Sequence, residues 1–62
     1  MDIKVQFGMR IKYLRKLKGW SQEDLARELG VSFASVNRWE NGKTKPSRLA
    51  QDKIKQIADI GG

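Results

Sequence analysis

Only Gly30 and Val31 separate two segments that each read as a short helix. The first opens at Ser21, a good N-cap. Asp24 stands three residues on, a weaker version of the capping box. Leu25, Ala26 and Leu29 make its inward face, and Gly30 stops it. The second opens at Ser32 with Val31 and Val36 at the staple positions, turns Val36 and Trp39 inward, and ends at Asn41-Gly42. A connection this short excludes a long antiparallel hairpin. It suits two helices crossing at a steep angle, the helix-turn-helix corner.

The rest of the chain has to pack around that corner. Ile3, Phe7, Ile11, Leu14 and Leu17 recur at helical spacing and predict a first helix over about residues 4–18. Gly19 is its expected left-handed cap, and Trp20 is placed to staple onto Leu25. The corner itself predicts helices over about 22–29 and 33–41. After Lys43-Thr44-Lys45-Pro46, where proline blocks a continuing helix, Ser47 caps a fourth helix over about 48–60. Ala50, Ile54, Ile57 and Ala58 share its inward face, with Leu49 and Ile60 off it. No strand-like alternation or internal repeat is present. The expectation is one all-α domain over 1–62, built of four helices, or five. Gly61-Gly62 reads as the edge of the domain or the start of a linker.

With 62 residues the core is small, and the fold depends on good capping. The absence of Cys and His removes disulfides, thiolate or zinc sites and His-based acid–base catalysis. The carboxylates Glu23, Asp24, Glu28 and Glu40 are accounted for by caps, exposed faces and pairing, so no enzyme, metal, cofactor or small-molecule ligand is expected. No apolar run has the ~18 residues of a membrane span, and a soluble cytoplasmic protein is expected. Thirteen Lys and Arg against 7 acids give a net charge of +6. That favours an anionic partner (nucleic acid, membrane surface or acidic protein), with simple solubility as the alternative.

Counted from Gln22, the fifth residue is Ala26, the ninth Gly30, the fifteenth Val36 and the eighteenth Trp39. Ala26 is small where two helices cross, Gly30 permits positive φ at the turn, and Val36 and Trp39 plug the second helix onto the others. With these offsets, "WSQEDLARELGVSFASVNRWENGKTKPS", residues 20–47, resembles the Cro/repressor (XRE) helix-turn-helix family. The likeness extends back through "FGMRIKYLRKLKG", residues 7–19. The resemblance implies a lambda-repressor-like fold that binds double-stranded DNA. It implies that Gln22 grips a phosphate and braces the reading helix, that Asn41 and Lys43 contact the DNA backbone, and that Arg10 is a further phosphate contact. It also implies a structural salt bridge between Arg15 and Glu40, so that removing Glu40 harms the fold rather than specificity.

On the helical wheel, Ala34, Asn37, Arg38 and Asn41 lie opposite Val36 and Trp39, with Phe33 on the flank. Arg can fork onto guanine, Asn can pair with adenine, and Ala or Phe can meet a thymine methyl. Phe33, Ala34, Asn37 and Arg38 are therefore the base-reading candidates, although Phe33 can instead pack on the domain. Ser32 and Ser35 are short donors suited to a phosphate, though capping alone accounts for Ser32. Lys43, Lys45 and Arg48 flank the reading helix and suit phosphate neutralisation. Arg10, Lys12, Lys16 and Lys18 decorate the first helix, where a solvated face is the alternative. The reading helix departs from the glutamine-rich ones of some phage relatives, so no operator carries over. The leading expectation is a transcriptional regulator that puts its third helix in the major groove. It would act as a homodimer on half-sites about 34 Å apart or fused to a further domain. The alternatives are a DNA-targeting module of a restriction–modification or helicase protein, and an antitoxin-like interaction domain using Leu49 and Ile60.

Overall fold

A computed structural model describes residues 2–60, with Ile60 by its backbone alone. The interaction role expected for the Ile60 side chain, and the reading of Gly61-Gly62, lie outside the described residues. The chain forms four helices: α1 (Ile3–Lys18), α2 (Gln22–Leu29), α3 (Phe33–Glu40) and α4 (Arg48–Ile60). Each helix start has a local cause. Asp2 caps α1 by accepting from the Lys4 amide at 2.9 Å, so the helix starts one residue before the expected Lys4. Ser21 and Asp24 make a complete capping box: the Ser21 hydroxyl accepts from the Asp24 amide at 3.1 Å, and the Asp24 carboxylate accepts from the Ser21 amide at 2.9 Å. The Ser32 hydroxyl accepts from the Ser35 amide at 3.1 Å, and Ser47 accepts from the Ala50 amide at 3.2 Å. Helix α3 ends at Glu40 rather than 41. Asn41 is its cap, at φ −86° and ψ 2°.

The turn between α2 and α3 closes by the double bond pattern of a left-handed cap. Gly30 N–H donates to the Arg27 carbonyl and Val31 N–H to that of Ala26, with Gly30 at φ 70°. A residue with a Cβ adopts that conformation only at a cost, so the corner depends on glycine there.

The core is Ile11, Leu25, Ala26, Leu29, Val36, Trp39 and Ala50, with Trp20, Val31, Ile54 and Ile57 packed against it. Pro46, in the loop between α3 and α4, is fully buried. Helix α1 packs chiefly on α3, while α2 packs on α3 and on α4. Gly8, inside α1, makes the α1–α3 contact possible. A Cβ built there would overlap the Trp39 carbonyl oxygen and press on that of Glu40.

The expected inward stripe of α1 is only partly covered. Ile11 is buried and Phe7 and Leu14 are half-buried, but Ile3 is 55% and Leu17 67% exposed. On α4, Ala58 is exposed as well. The reason is geometric. Helix α1 turns its buried side to α3, and α4 does not close over its outer half. Between them lies a half-open groove of about 860 Å³, lined by Phe7, Tyr13, Leu14, Leu17, Ile54 and Ala58 among others.

Candidate nucleic-acid interface

The corner presents α3 at the surface, with its inward side locked by Val36 (0% exposed) and Trp39. Around its other sides the expected site residues fall into three groups.

The first group is bonded together. Arg15 of α1 meets Glu40 of α3 with both ends of its fork: Nε donates to Oε2 at 2.8 Å and Nη2 to Oε1 at 3.0 Å. Arg15 Nη1 also donates to the Trp20 carbonyl at 3.0 Å. The Glu40 side chain is only 1% exposed and that of Arg15 16%. Burial pushes the Glu40 carboxyl up. The hydrogen bonds from Arg15 and Gln22, with the charges of Arg15 and Lys12, outweigh it and hold the pKa below its ordinary value. The hydrogen bond to Glu40 raises the Arg15 pKa against the opposing effect of burial. From Glu40 the network continues to Gln22, whose Nε2 donates to Oε1 at 3.1 Å. Asn37 Nδ2 donates to Gln22 Oε1 at 3.2 Å, and Asn41 Nδ2 to Asn37 Oδ1 at 3.1 Å. Five side chains from α1, α2, α3 and the α3 cap are thus one polar unit.

The second group lies on the outer face of α3. Ala34 and Arg38 are exposed and Phe33 is 49% exposed. Arg38 is in no ion pair among the described residues. Ser32 and Ser35, at the start of the helix, share a hydroxyl–hydroxyl bond of 3.0 Å. The third group is the exposed basic rim at Lys43, Lys45 and Arg48. Arg48 makes a long, exposed contact of 3.6 Å with Asp52, which holds it only loosely. Arg10 stands apart from all three groups, on the wall of the groove between α1 and α4.

Two features of this arrangement went beyond sequence reasoning. The bond between Gln22 and Asn37 joins residues 15 apart, and no local pattern announces it. Gly8 had a signal, a lone glycine inside a helical run, which weakens the helix by itself and so points to a packing reason without naming the partner.

The helix-turn-helix family model matches residues 11–60 of the chain. The chain is 44% identical over 54 residues to YazB, an HTH-type transcriptional regulator of Bacillus subtilis, an alignment spanning 87% of this chain and 74% of YazB. It is 31% identical over 58 residues to an HTH-type transcriptional regulator of Sinorhizobium medicae, across 94% of this chain but 42% of that protein. It is also similar to the antitoxin HipB of Escherichia coli, at 29% identity over 55 residues, 89% of this chain and 58% of HipB. The alignment thus reaches less than two thirds of the length of some of these relatives. No solved structure gives a significant match.

Proposed function

We propose, from the premise that the chain belongs to the Cro/C1-type helix-turn-helix family, that it binds double-stranded DNA in a sequence-dependent way and regulates transcription. The observation that carries this reading is the outer face of α3. Exposed Ala34, Phe33 and Arg38 stand together on a helix whose opposite side is locked in the core, and Arg38 has no ion-pair partner among the described residues. The helix enters the major groove, Arg38 forks onto a guanine, and Ala34 and Phe33 meet thymine methyls near the helix start. Gln22 and Asn41 at one side, Ser32 and Ser35 at the helix start, and Lys43, Lys45 and Arg48 beyond its end contact phosphates and set the register. Arg10 is a more distant phosphate contact.

The domain extends 27 Å at most, less than the ~34 Å between successive major-groove faces. One copy therefore reaches one half-site, and tight binding needs a second copy or a further domain. A cytoplasmic setting goes with this reading.

Selection of bound duplexes from a random pool, at low and at moderate salt, tests it. A defined consensus is expected, with affinity falling steeply as salt rises. Arg38→Ala is expected to relax one position of that consensus and to weaken binding by about 1–3 kcal/mol. Binding indifferent to both salt and sequence overturns the reading.

A second reading is favoured by the groove between α1 and α4 and by the similarity to an antitoxin. The groove runs along α1 from Phe7 to Lys18, about 16 Å at 1.5 Å per residue. Its floor is apolar. Arg10, Lys18 and Lys55 stand on its walls in no ion pair among the described residues, and the one acid there, Asp52, already meets Arg48. That charge pattern fits an amphipathic helix of a partner protein with Leu-type residues on one face and Asp or Glu beside them. A second copy fits less well, because it would set like charges face to face.

A further inference from the structure

The amides of Gln22, Asn37 and Asn41 form a hydrogen-bonded series with a direction. Every donor in it points toward Glu40: Asn41 to Asn37, Asn37 to Gln22, and Gln22 to the carboxylate. An ionised carboxylate only accepts. The buried Glu40 therefore turns the Gln22 nitrogen toward itself and the Gln22 oxygen toward Asn37. Asn37 must answer with its nitrogen, which leaves its oxygen for Asn41. One charge thus sets the orientation of three side chains.

This arrangement separates Asn37 from its neighbours on α3. Its oxygen and its nitrogen are both bonded within the protein, and the residue is half-buried. Bidentate pairing with adenine uses both of those ends, so each would have to be shared with a protein partner that already fixes the direction of the amide. Each of the three amides keeps one N–H outside the series, and N–H groups suit an anionic oxygen. Building on the DNA-binding reading above, we infer that Asn37 is a positioning residue that aligns Gln22 and Asn41 on phosphates, and that base preference rests on Phe33, Ala34 and Arg38.

The test uses the 62-residue protein and a labelled duplex carrying the selected consensus, with binding followed by fluorescence anisotropy. Asn37→Ala is expected to weaken binding about tenfold, the loss of one or two such hydrogen bonds. The loss should be the same on consensus and on altered duplexes, and selection with the variant should return the consensus unchanged. Combined with Gln22→Ala, the loss should fall well short of the product of the single losses, because both variants break the same series. Asn37→Asp keeps the shape but cannot donate to Gln22, and should lose at least as much as alanine. Thermal unfolding of each variant shows that the folded protein is being compared, and Asn37→Ser serves as a milder variant if alanine unfolds. A consensus altered at one position, or multiplicative losses with Gln22→Ala, overturns the inference and leaves the DNA-binding reading standing. A wild-type protein that selects no sequence overturns both, and that result is seen before any variant is made.

Discussion

Gly8 stands where α1 meets the backbone of another helix. Replacing it with alanine favours the helix by about 1 kcal/mol in isolation. The added methyl, however, meets the carbonyl oxygens of Trp39 and Glu40, which cannot swing aside as a flexible side chain does. Moving α1 away loosens the packing of Ile11 and strains the Arg15–Glu40 bridge. Gly8→Ala is therefore expected to destabilise the domain by about 2 kcal/mol net, read as a lower urea midpoint with an unchanged slope. Leu17 shows the opposite case. It fits the helical spacing as well as Ile11 does but is 67% exposed, against 1% for Ile11. Spacing names the face a residue occupies, not whether anything covers that face.

At the scale of elements, α3 has only eight residues, too few to be stable alone. It is held by its cap at Ser32, by Val36 and Trp39 in the core, and by the Arg15–Glu40 bridge to α1. The bridge is the tie that responds to pH. A carboxyl whose pKa is lowered in the folded state contributes stability above its unfolded pKa, near 4.3, and loses that contribution as pH falls through the folded value. The exposed Asp24 carboxyl works in the same direction, lowered first by its hydrogen bond from the Ser21 backbone. The melting temperature should thus be flat from about pH 5 upward as far as these groups are concerned, and fall on acidification. Glu40→Gln, which leaves Arg15 without its countercharge, should cost about 3 kcal/mol at neutral pH. The gap to wild type should narrow in acid. A constant gap across the range would show that the charge of Glu40 contributes nothing.

At the scale of the whole molecule, the four helices leave two unlike surfaces, the outer face of α3 with its basic rim and the groove between α1 and α4. No residue of α2 or α3 lines the groove, so a partner there would leave the outer face of α3 open. A synthetic helical peptide with leucines along one face and glutamates beside them is the probe for it. Its binding should shift the amide resonances of Leu14, Leu17 and Ile54 and leave those of Ala34 and Arg38 in place. A matched peptide with lysines for glutamates should bind at least tenfold more weakly, and Leu17→Lys should abolish the effect. Shifts that depend on protein concentration in the absence of peptide would instead mark this face as a contact between copies.

The sequence alone determined the all-α corner, the helix ends and most of the core. Caps, stops and periodic apolar residues act over three or four neighbours, and a short turn permits few geometries. The pairing of Arg15 with Glu40 was accessible only through family resemblance, because it joins positions 25 apart. Tertiary structure alone decided that Ile3, Leu17 and Ala58 stay uncovered, that Gly8 is a point of close approach, and that Gln22 and Asn37 bond to each other. Each of these depends on the distance and angle between helices, which follow from the packing of all four together and are written in no single segment.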